Sequence, residues 1–233
     1  MVGLILTGSR GRGFRVRPDS DFDVRLVLRE EASDDCAQRY ETSHGAPVET
    51  RVLSVSAFER TGTRGADDEW DRYSYVRAPV VIDKLDGHVQ RVVDEKSQLV
   101  PAERRELAAE WLDTYINAYY RAARNHQNDL VSEAHLDAAE SVSPFLTVLF
   151  ALHGRVRPFN KFLCWELERC PLGDDRWAAA RLISRLRAIV ATGDLHEQQR
   201  LFCDVEELAR QHEFGPVVDG WEPHVSWLRG SAG

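Results

Sequence analysis

Two aspartates placed two residues apart, Asp21 and Asp23, have the types and spacing best suited to chemistry in this sequence. They stand at the start of an apolar segment, Phe22–Leu28, whose composition predicts a β-strand. Because side chains alternate across a strand, both carboxylates project from the same face. Two convergent carboxylates are the ligands that a hard, oxygen-seeking cation such as Mg²⁺ prefers.

A glycine-rich turn, GSRGRG at residues 8–13, precedes the aspartates along the chain. An apolar strand leads into it, and the turn is predicted to open a helix. Such a junction can point backbone N–H groups at phosphate oxygens. A glycine turn alone is more often only a turn, but the Asp-x-Asp pair that follows favours phosphate binding. The predicted nucleotide contacts are Gly8, Ser9, Arg12 and Ser20.

A third carboxylate, Glu49, lies early in a segment that also has the composition of a strand, Val48–Val55. Placed beside the strand of the two aspartates, Glu49 would complete a two-metal site or act as general base on an acceptor hydroxyl. The alternative is an exposed strand on which Glu49 pairs with Arg51 on the same face. Glu41 is the nearest competitor and lies in a polar segment without a strand pattern.

These motifs resemble those of the DNA-polymerase-β-type nucleotidyltransferase superfamily, in particular its antibiotic (aminoglycoside) branch. The likeness rests on a Gly-Ser turn, a variable spacer and Asp-x-Asp, with the opening GSRGRG in this sequence. The stretch PVETRVL around Glu49 is similar to that around the catalytic glutamate of aminoglycoside adenylyltransferases. The resemblance covers about the first 55 residues and is much looser beyond them.

The resemblance implies roles for the residues that match the superfamily's motif. Asp21 and Asp23 would bind metal, Gly8 and Ser9 would hold the triphosphate, and Glu49 would be the usual third acidic residue. Two Mg²⁺ ions and ATP or another NTP are the implied cofactor and co-substrate. The implied reaction transfers a nucleoside monophosphate to a hydroxyl group and releases pyrophosphate.

A lysine in the second half of the chain, Lys161, follows a turn and opens an aromatic-rich segment. It resembles the lysine that superfamily members place on the triphosphate from their helical domain. Arg155 and Arg157 could serve the same role. The other interpretation is an exposed lysine whose aliphatic stem packs on the surface.

An acidic row follows helical spacing, with Glu133, Asp137 and Glu140 at i, i+4 and i+7. A solvated face opposite the apolar stripe is the favoured interpretation. The alternative is an acidic wall that binds an amine-bearing acceptor, with Asp137 and Glu140 as the substrate contacts.

The pattern of the chain changes near residue 100. Short strand-like segments alternate with turns before it, and apolar stripes with helical period follow it. We therefore predict an α+β fold, with a small mixed-sheet nucleotidyltransferase domain over 1–99 and an all-helical C-terminal domain over 100–233. Ser143-Pro144 is predicted to break the helix that begins near Val131, or to start a new one.

The composition of the chain argues against several classes of protein. Of the 233 residues, 43% are hydrophobic and 29% charged, which is typical of a globular protein. No run approaches the roughly 20 apolar residues of a membrane span, and the four cysteines form no CxxC pair. A net charge of −8 argues against broad nucleic-acid binding. The expected location is the cytoplasm.

The predicted partners are a nucleotide and a small-molecule acceptor, with an aminoglycoside-like antibiotic as a candidate acceptor. Two alternatives stay open at this point. One is a nucleotidyltransferase that modifies a protein or tRNA, as in toxin–antitoxin systems, and the other is a non-catalytic nucleotide-binding module.

Overall fold

A computed structural model describes residues 1–32, 38–42 and 44–230 of the chain. The chain divides into two compact units, Met1–Leu99 and Val100–Gly233. The sheet belongs to the first unit, and the described part of the second is built from helices. The predicted α+β class, with a helix-rich C-terminal region, is confirmed.

Strands and short helices alternate through the first unit. In chain order they are β1 (Gly3–Leu6), α1 (Gly8–Arg12), β2 (Phe22–Leu28), β3 (Val48–Ser54), α2 (Val55–Arg60), β4 (Val80–Asp83) and α3 (His88–Lys96). Two 3-10 turns, Glu30–Ala32 and Glu69–Tyr75, lie between them. Strand β2 has the predicted bounds, and β3 ends one residue before the predicted end at Val55.

The four strands form one mixed sheet in the order β3-β2-β1-β4. Strand β1 pairs antiparallel with both β2 and β4, whereas β2 and β3 run parallel. A parallel pair needs a crossover between its strands, and residues 29–47 make that connection. The two strands that carry the predicted acidic residues are therefore direct neighbours.

One face of the sheet carries the core of the first unit. Val27 of β2 and Leu53 of β3 are buried there against Phe58 of α2 and Val89 of α3. Full burial of one such side chain contributes about 1.5–3 kcal/mol. Ser54 ends β3 and accepts a hydrogen bond from the Ala57 amide, which caps α2 and turns the chain onto this face.

The second unit consists of helices in its described part. They are α4 (Pro101–Gln127), α5 (Val131–Leu152), α6 (Leu163–Arg169), α7 (Ala179–Thr192), α8 (Leu195–Gln211), α9 (Gly215–Asp219) and α10 (His224–Leu228). The two long helices, α4 and α5, pack along each other. Their apolar stripes supply most of the core of this unit.

The predicted break at Ser143-Pro144 is wrong, because α5 runs through both residues without interruption. Pro144 removes one helical hydrogen bond, which costs about 3 kcal/mol in a helix interior. The residue is buried, and Phe145 and Leu149 beside it are fully buried. Packing of the helix against its neighbours outweighs the local cost.

No disulfide joins Cys164, Cys170 and Cys203 within the described residues, and Cys36 lies outside them. Within the described residues, no helix combines the length and the apolar character that crossing a bilayer requires.

A lysine at the end of α3, Lys96, is buried with 3% of its surface exposed. Its ammonium donates to the carbonyl oxygens of Glu59, at 2.9 Å, and of Thr61, where α2 ends. The same group lies 5.6 Å from the centre of the Phe58 ring. Burial, with the nearby positive charge of Arg72, lowers the pKa of Lys96 to about 8.

We predict that the free energy of unfolding rises with pH between about 8 and the ordinary lysine value of 10.5. In that window the unfolded chain binds more protons at Lys96 than the folded chain does, with a slope of up to about 1.4 kcal/mol per pH unit. Lys96→Met should remove this slope, whereas Lys84→Met, at an exposed lysine of the same unit, should keep it. Urea unfolding at several pH values measures the slopes. Equal slopes in the two variants would contradict the prediction.

Candidate functional site

The three carboxylates predicted from the sequence as metal ligands lie together in the structure. They belong to Asp21, Asp23 and Glu49. One oxygen from each lies within 4.8 Å of the others. All three side chains are partly exposed, so a solute can reach them. The described part of the first unit therefore contains one compact acidic triad, which we call the triad below.

The parallel pairing of β2 and β3 places the triad. Asp23 and Glu49 are register partners, so their side chains stand side by side on the same face. The amide of Phe22 donates to the Pro47 carbonyl at 3.0 Å, which starts this pairing just after Asp21. The face is the one that carries the core farther along both strands.

The glycine turn packs directly against the triad. Gly8 has a φ of +63°, and a Cβ atom there would lie 1.7 Å from Oδ2 of Asp23. The neighbouring Thr7 amide donates to the main-chain carbonyl of Asp23 at 2.8 Å. Glycine is thus required at position 8 both for its backbone angle and for the space that the carboxylate occupies.

Two further residues predicted to bind nucleotide have interior contacts. Ser9 is buried, and its carbonyl accepts from the Phe14 amide at 2.9 Å. Arg12 is also buried, with its guanidinium donating to the carbonyls of Gly8, at 3.0 Å, and of Tyr73. A phosphate contact at Arg12 stays a prediction.

Ser20 closes the turn that leads into the aspartates. Its hydroxyl accepts from the Arg17 amide at 2.9 Å, and its carbonyl accepts from Nε of Arg10 at the same distance. Arg10 also lies 4.1 Å from the centre of the Phe22 ring. Ser20 therefore fixes the loop ahead of Asp21, and its predicted contact with nucleotide stays a prediction.

A short loop holds the Glu49 carboxylate. His44 Nδ1 lies 2.9 Å from Oε1, and the Gly45 amide donates to the same oxygen at 2.5 Å. Thr42 anchors the loop, since its hydroxyl donates to the Val48 carbonyl at 2.7 Å. The Gly45 amide and then His44 lower the pKa of Glu49, and Glu49 raises the pKa of His44. Glu49 is therefore a carboxylate that the loop keeps ionised.

The alternative partner of Glu49, Arg51, is engaged elsewhere. Its guanidinium donates to Asp68 at 2.8 Å and to Asp71 at 3.4 Å. Arg25, its register partner on β2, donates to the same Asp71 at 2.9 Å. An arginine pair thus separates the triad from the apolar core along both strands, and two aspartates of the 3-10 turn region hold it there.

Sequence reasoning did not single out Arg25 or His44. The alternation of β2 contained a signal for Arg25, since it follows Asp21 and Asp23 at the same two-residue step. His44 lies in a loop without periodicity, and its contact with Glu49 is visible only in three dimensions.

The acidic row of the second unit is tied to the neighbouring helix. Arg121 of α4 donates to Asp137 at 3.1 Å and to Glu140 at 2.8 Å, and Asn125 donates to Asp137 at 2.8 Å. Binding of an amine-bearing acceptor by this row stays a prediction, and the amine would have to compete with Arg121.

Lys161 lies in a 3-10 turn, Asn160–Phe162, and is exposed. Its ammonium lies 5.4 Å from the centre of the Phe162 ring. The predicted triphosphate contact of Lys161 stays a prediction.

Comparison of the chain with protein-family models and with curated proteins gives no match.

We predict that Gly8→Ala impairs binding of Mn²⁺, used as a probe of the triad, because the new methyl group displaces the Asp23 carboxylate. Gly13→Ala is the matched control, since Gly13 has the same backbone strain at φ +65° but open space around it. Both variants should lose stability by about 1–2 kcal/mol through the strained backbone. Mn²⁺ titration followed by electron paramagnetic resonance separates them. Equal affinities in the two variants would show that Gly8 does not protect the triad.

Proposed function

We propose that this chain is a Mg²⁺-dependent nucleotidyltransferase. It transfers a nucleoside monophosphate from ATP or another NTP to a hydroxyl of a small-molecule acceptor and releases pyrophosphate. The observation that carries the proposal is the triad itself, in which Asp23 and Glu49 are register partners and Gly8 packs on Asp23. Gly8, the Asp-x-Asp pair and Glu49, which span residues 8–49 of the sequence, thus meet at one place.

The donor set fits Mg²⁺. Asp21, Asp23 and Glu49 offer only carboxylate oxygens, the ligands of hard cations, and their separations suit shared coordination. These three residues would hold the metal, which would neutralise charge on the triphosphate and polarise the phosphoryl oxygens.

The surroundings of Glu49 favour a role as metal ligand over a role as general base. A general base works best when its pKa lies near the operating pH. The Gly45 amide and His44 instead hold the pKa of Glu49 below its ordinary value. A carboxylate that stays ionised accepts a cation readily, but takes up a proton poorly.

The proposed reaction is an in-line substitution at phosphorus. The acceptor hydroxyl oxygen forms a bond to the α-phosphorus, and the bond between that phosphorus and the bridging oxygen breaks. Pyrophosphate leaves with the electron pair, and the hydroxyl proton passes to solvent. The protein contributes position and charge, which supply most of the catalysis in phosphoryl transfer.

We predict that Asp21→Asn and Asp23→Asn each lower pyrophosphate release from ATP with an aminoglycoside acceptor by at least about 100-fold. Neutralisation by a metal is worth several kcal/mol in such reactions. Asp19→Asn is the matched control, because Asp19 is exposed nearby and pairs with Arg17. It should keep wild-type turnover and Mn²⁺ affinity. Near-full metal-dependent activity in Asp21→Asn or Asp23→Asn would remove that residue from the site.

Glu49→Gln keeps the size of the side chain and removes its charge. If Glu49 is a ligand, as proposed, Mn²⁺ affinity and Mg²⁺-dependent ATP affinity weaken together with turnover. Turnover lower by about 10²- to 10⁴-fold at unchanged affinity would identify a general base instead. Unchanged turnover and affinity would exclude Glu49 from both roles. Titrations with Mn²⁺ and ATP, and turnover, are measured on one preparation of each protein.

A further inference from the structure

Most of the arginines held inside the described part of the second unit have a carboxylate partner. The pairs are Arg155–Glu166, Arg176–Asp174, Arg185–Asp204, Arg210–Glu206 and Arg229–Glu206. Arg157 departs from this rule. It is half-buried, and all the oxygens that its guanidinium contacts in the described residues are neutral.

The contacts of Arg157 use part of its donor capacity. One terminal nitrogen, Nη1, donates to the hydroxyls of Ser143 at 2.8 Å and Thr147 at 3.3 Å. The other, Nη2, donates to the side-chain oxygen of Asn160 at 3.3 Å. Nε is buried and has no acceptor among the described residues. A guanidinium offers five N–H groups, so these three bonds leave it under-used.

The charge of Arg157 is costly where it stands. Burial lowers the pKa of the Arg157 guanidinium, and no neighbouring carboxylate opposes that effect within the described residues. Arginine nevertheless stays protonated in proteins. A desolvated cation without a counter-charge is destabilising, and contact with an anion reduces that cost.

The groups around Arg157 match an oxyanion. Ser143 and Asn160 are exposed, so a solute can approach the side of the guanidinium that they border. Serine and threonine hydroxyls can rotate from accepting to donating, and the asparagine amide also carries two donors. A planar guanidinium flanked by such donors suits phosphate, which it can bind through two parallel hydrogen bonds.

We propose that Arg157, Ser143, Thr147 and Asn160 form an oxyanion site of the second unit that takes a phosphate group. The sequence offered Arg155 and Arg157 as alternatives to Lys161. Of the three, Arg155 is neutralised by Glu166 and the Lys161 ammonium lies over a phenyl ring, whereas the described partners of the Arg157 guanidinium are neutral oxygens. The phosphate belongs either to the nucleotide or to a phosphorylated acceptor. The site does not rest on metal binding by the triad.

The test is isothermal titration of the full chain with inorganic phosphate and with pyrophosphate, without metal. Arg157→Met should weaken binding by about 10- to 150-fold, the usual effect of losing a charged hydrogen bond. Arg187→Met, at an exposed arginine of α7, should bind as wild type does. Asp23→Asn should also retain binding, which separates this proposal from the metal site.

Thr147→Val keeps the shape of its side chain and tests the site even if Arg157→Met fails to fold. It should weaken phosphate binding without loss of melting temperature. The proposal would be overturned if the wild-type chain binds neither phosphate nor pyrophosphate at millimolar concentration. It would also be overturned if a folded variant, Arg157→Met or Thr147→Val, binds these anions as tightly as the wild type does. A parallel titration with ATP identifies the source. Weaker ATP binding in the site variant assigns the nucleotide, and unchanged ATP binding assigns a phosphorylated acceptor.

Discussion

The parallel pairing of β2 with β3 sets the chemistry of the first unit, because it fixes which side chains stand next to each other. Asp23 faces Glu49, Arg25 faces Arg51, and Val27 faces Leu53. Since side chains alternate, a slip of one residue in β3 would move Glu49 to the opposite face and expose Leu53. The free energy of burying the apolar pair therefore also maintains the acidic one. The same β2–β3 register is therefore required both for packing of the core and for assembly of the triad.

Bringing three carboxylates together costs electrostatic energy, and the first unit meets that cost locally. The Gly45 amide and His44 stabilise the charge of Glu49, and Arg25 adds a longer-range positive contribution. The arginines of β2 and β3 are themselves held by Asp71, which is almost fully buried. Charges thus alternate in sign from the triad inward. The positive charges of Arg25 and Arg51 offset the repulsion among the three carboxylates, and Asp71 offsets the repulsion between the two arginines. The Gly45 amide and His44 thus keep the Glu49 carboxylate ionised beside the two aspartates.

The second unit treats its charges differently, because most of its inward arginines are neutralised inside the unit. Such pairs orient the helices and leave little charge for a ligand. Arg121 of α4 does this for Asp137 and Glu140 of α5, so these two carboxylates of the acidic row take part in an interhelical contact. Arg157 is notable against that background, since hydroxyls and an amide surround it in place of a carboxylate.

Local periodicity in the sequence was enough for the α+β class and for the strands that carry Asp23 and Glu49. A two-residue step places side chains on one face wherever the strand lies, so the convergence of Asp21 and Asp23 needed no tertiary information. The sequence could not place Glu49 beside Asp23, because strand pairing depends on burial of Val27 and Leu53 together. It also misplaced a break at Pro144, where packing overrides a local preference. The space that Gly8 leaves for Asp23, and the engagement of Arg51 by Asp68, depend on contacts between residues more than ten positions apart. Such contacts follow from the folded chain, since no local spacing encodes them.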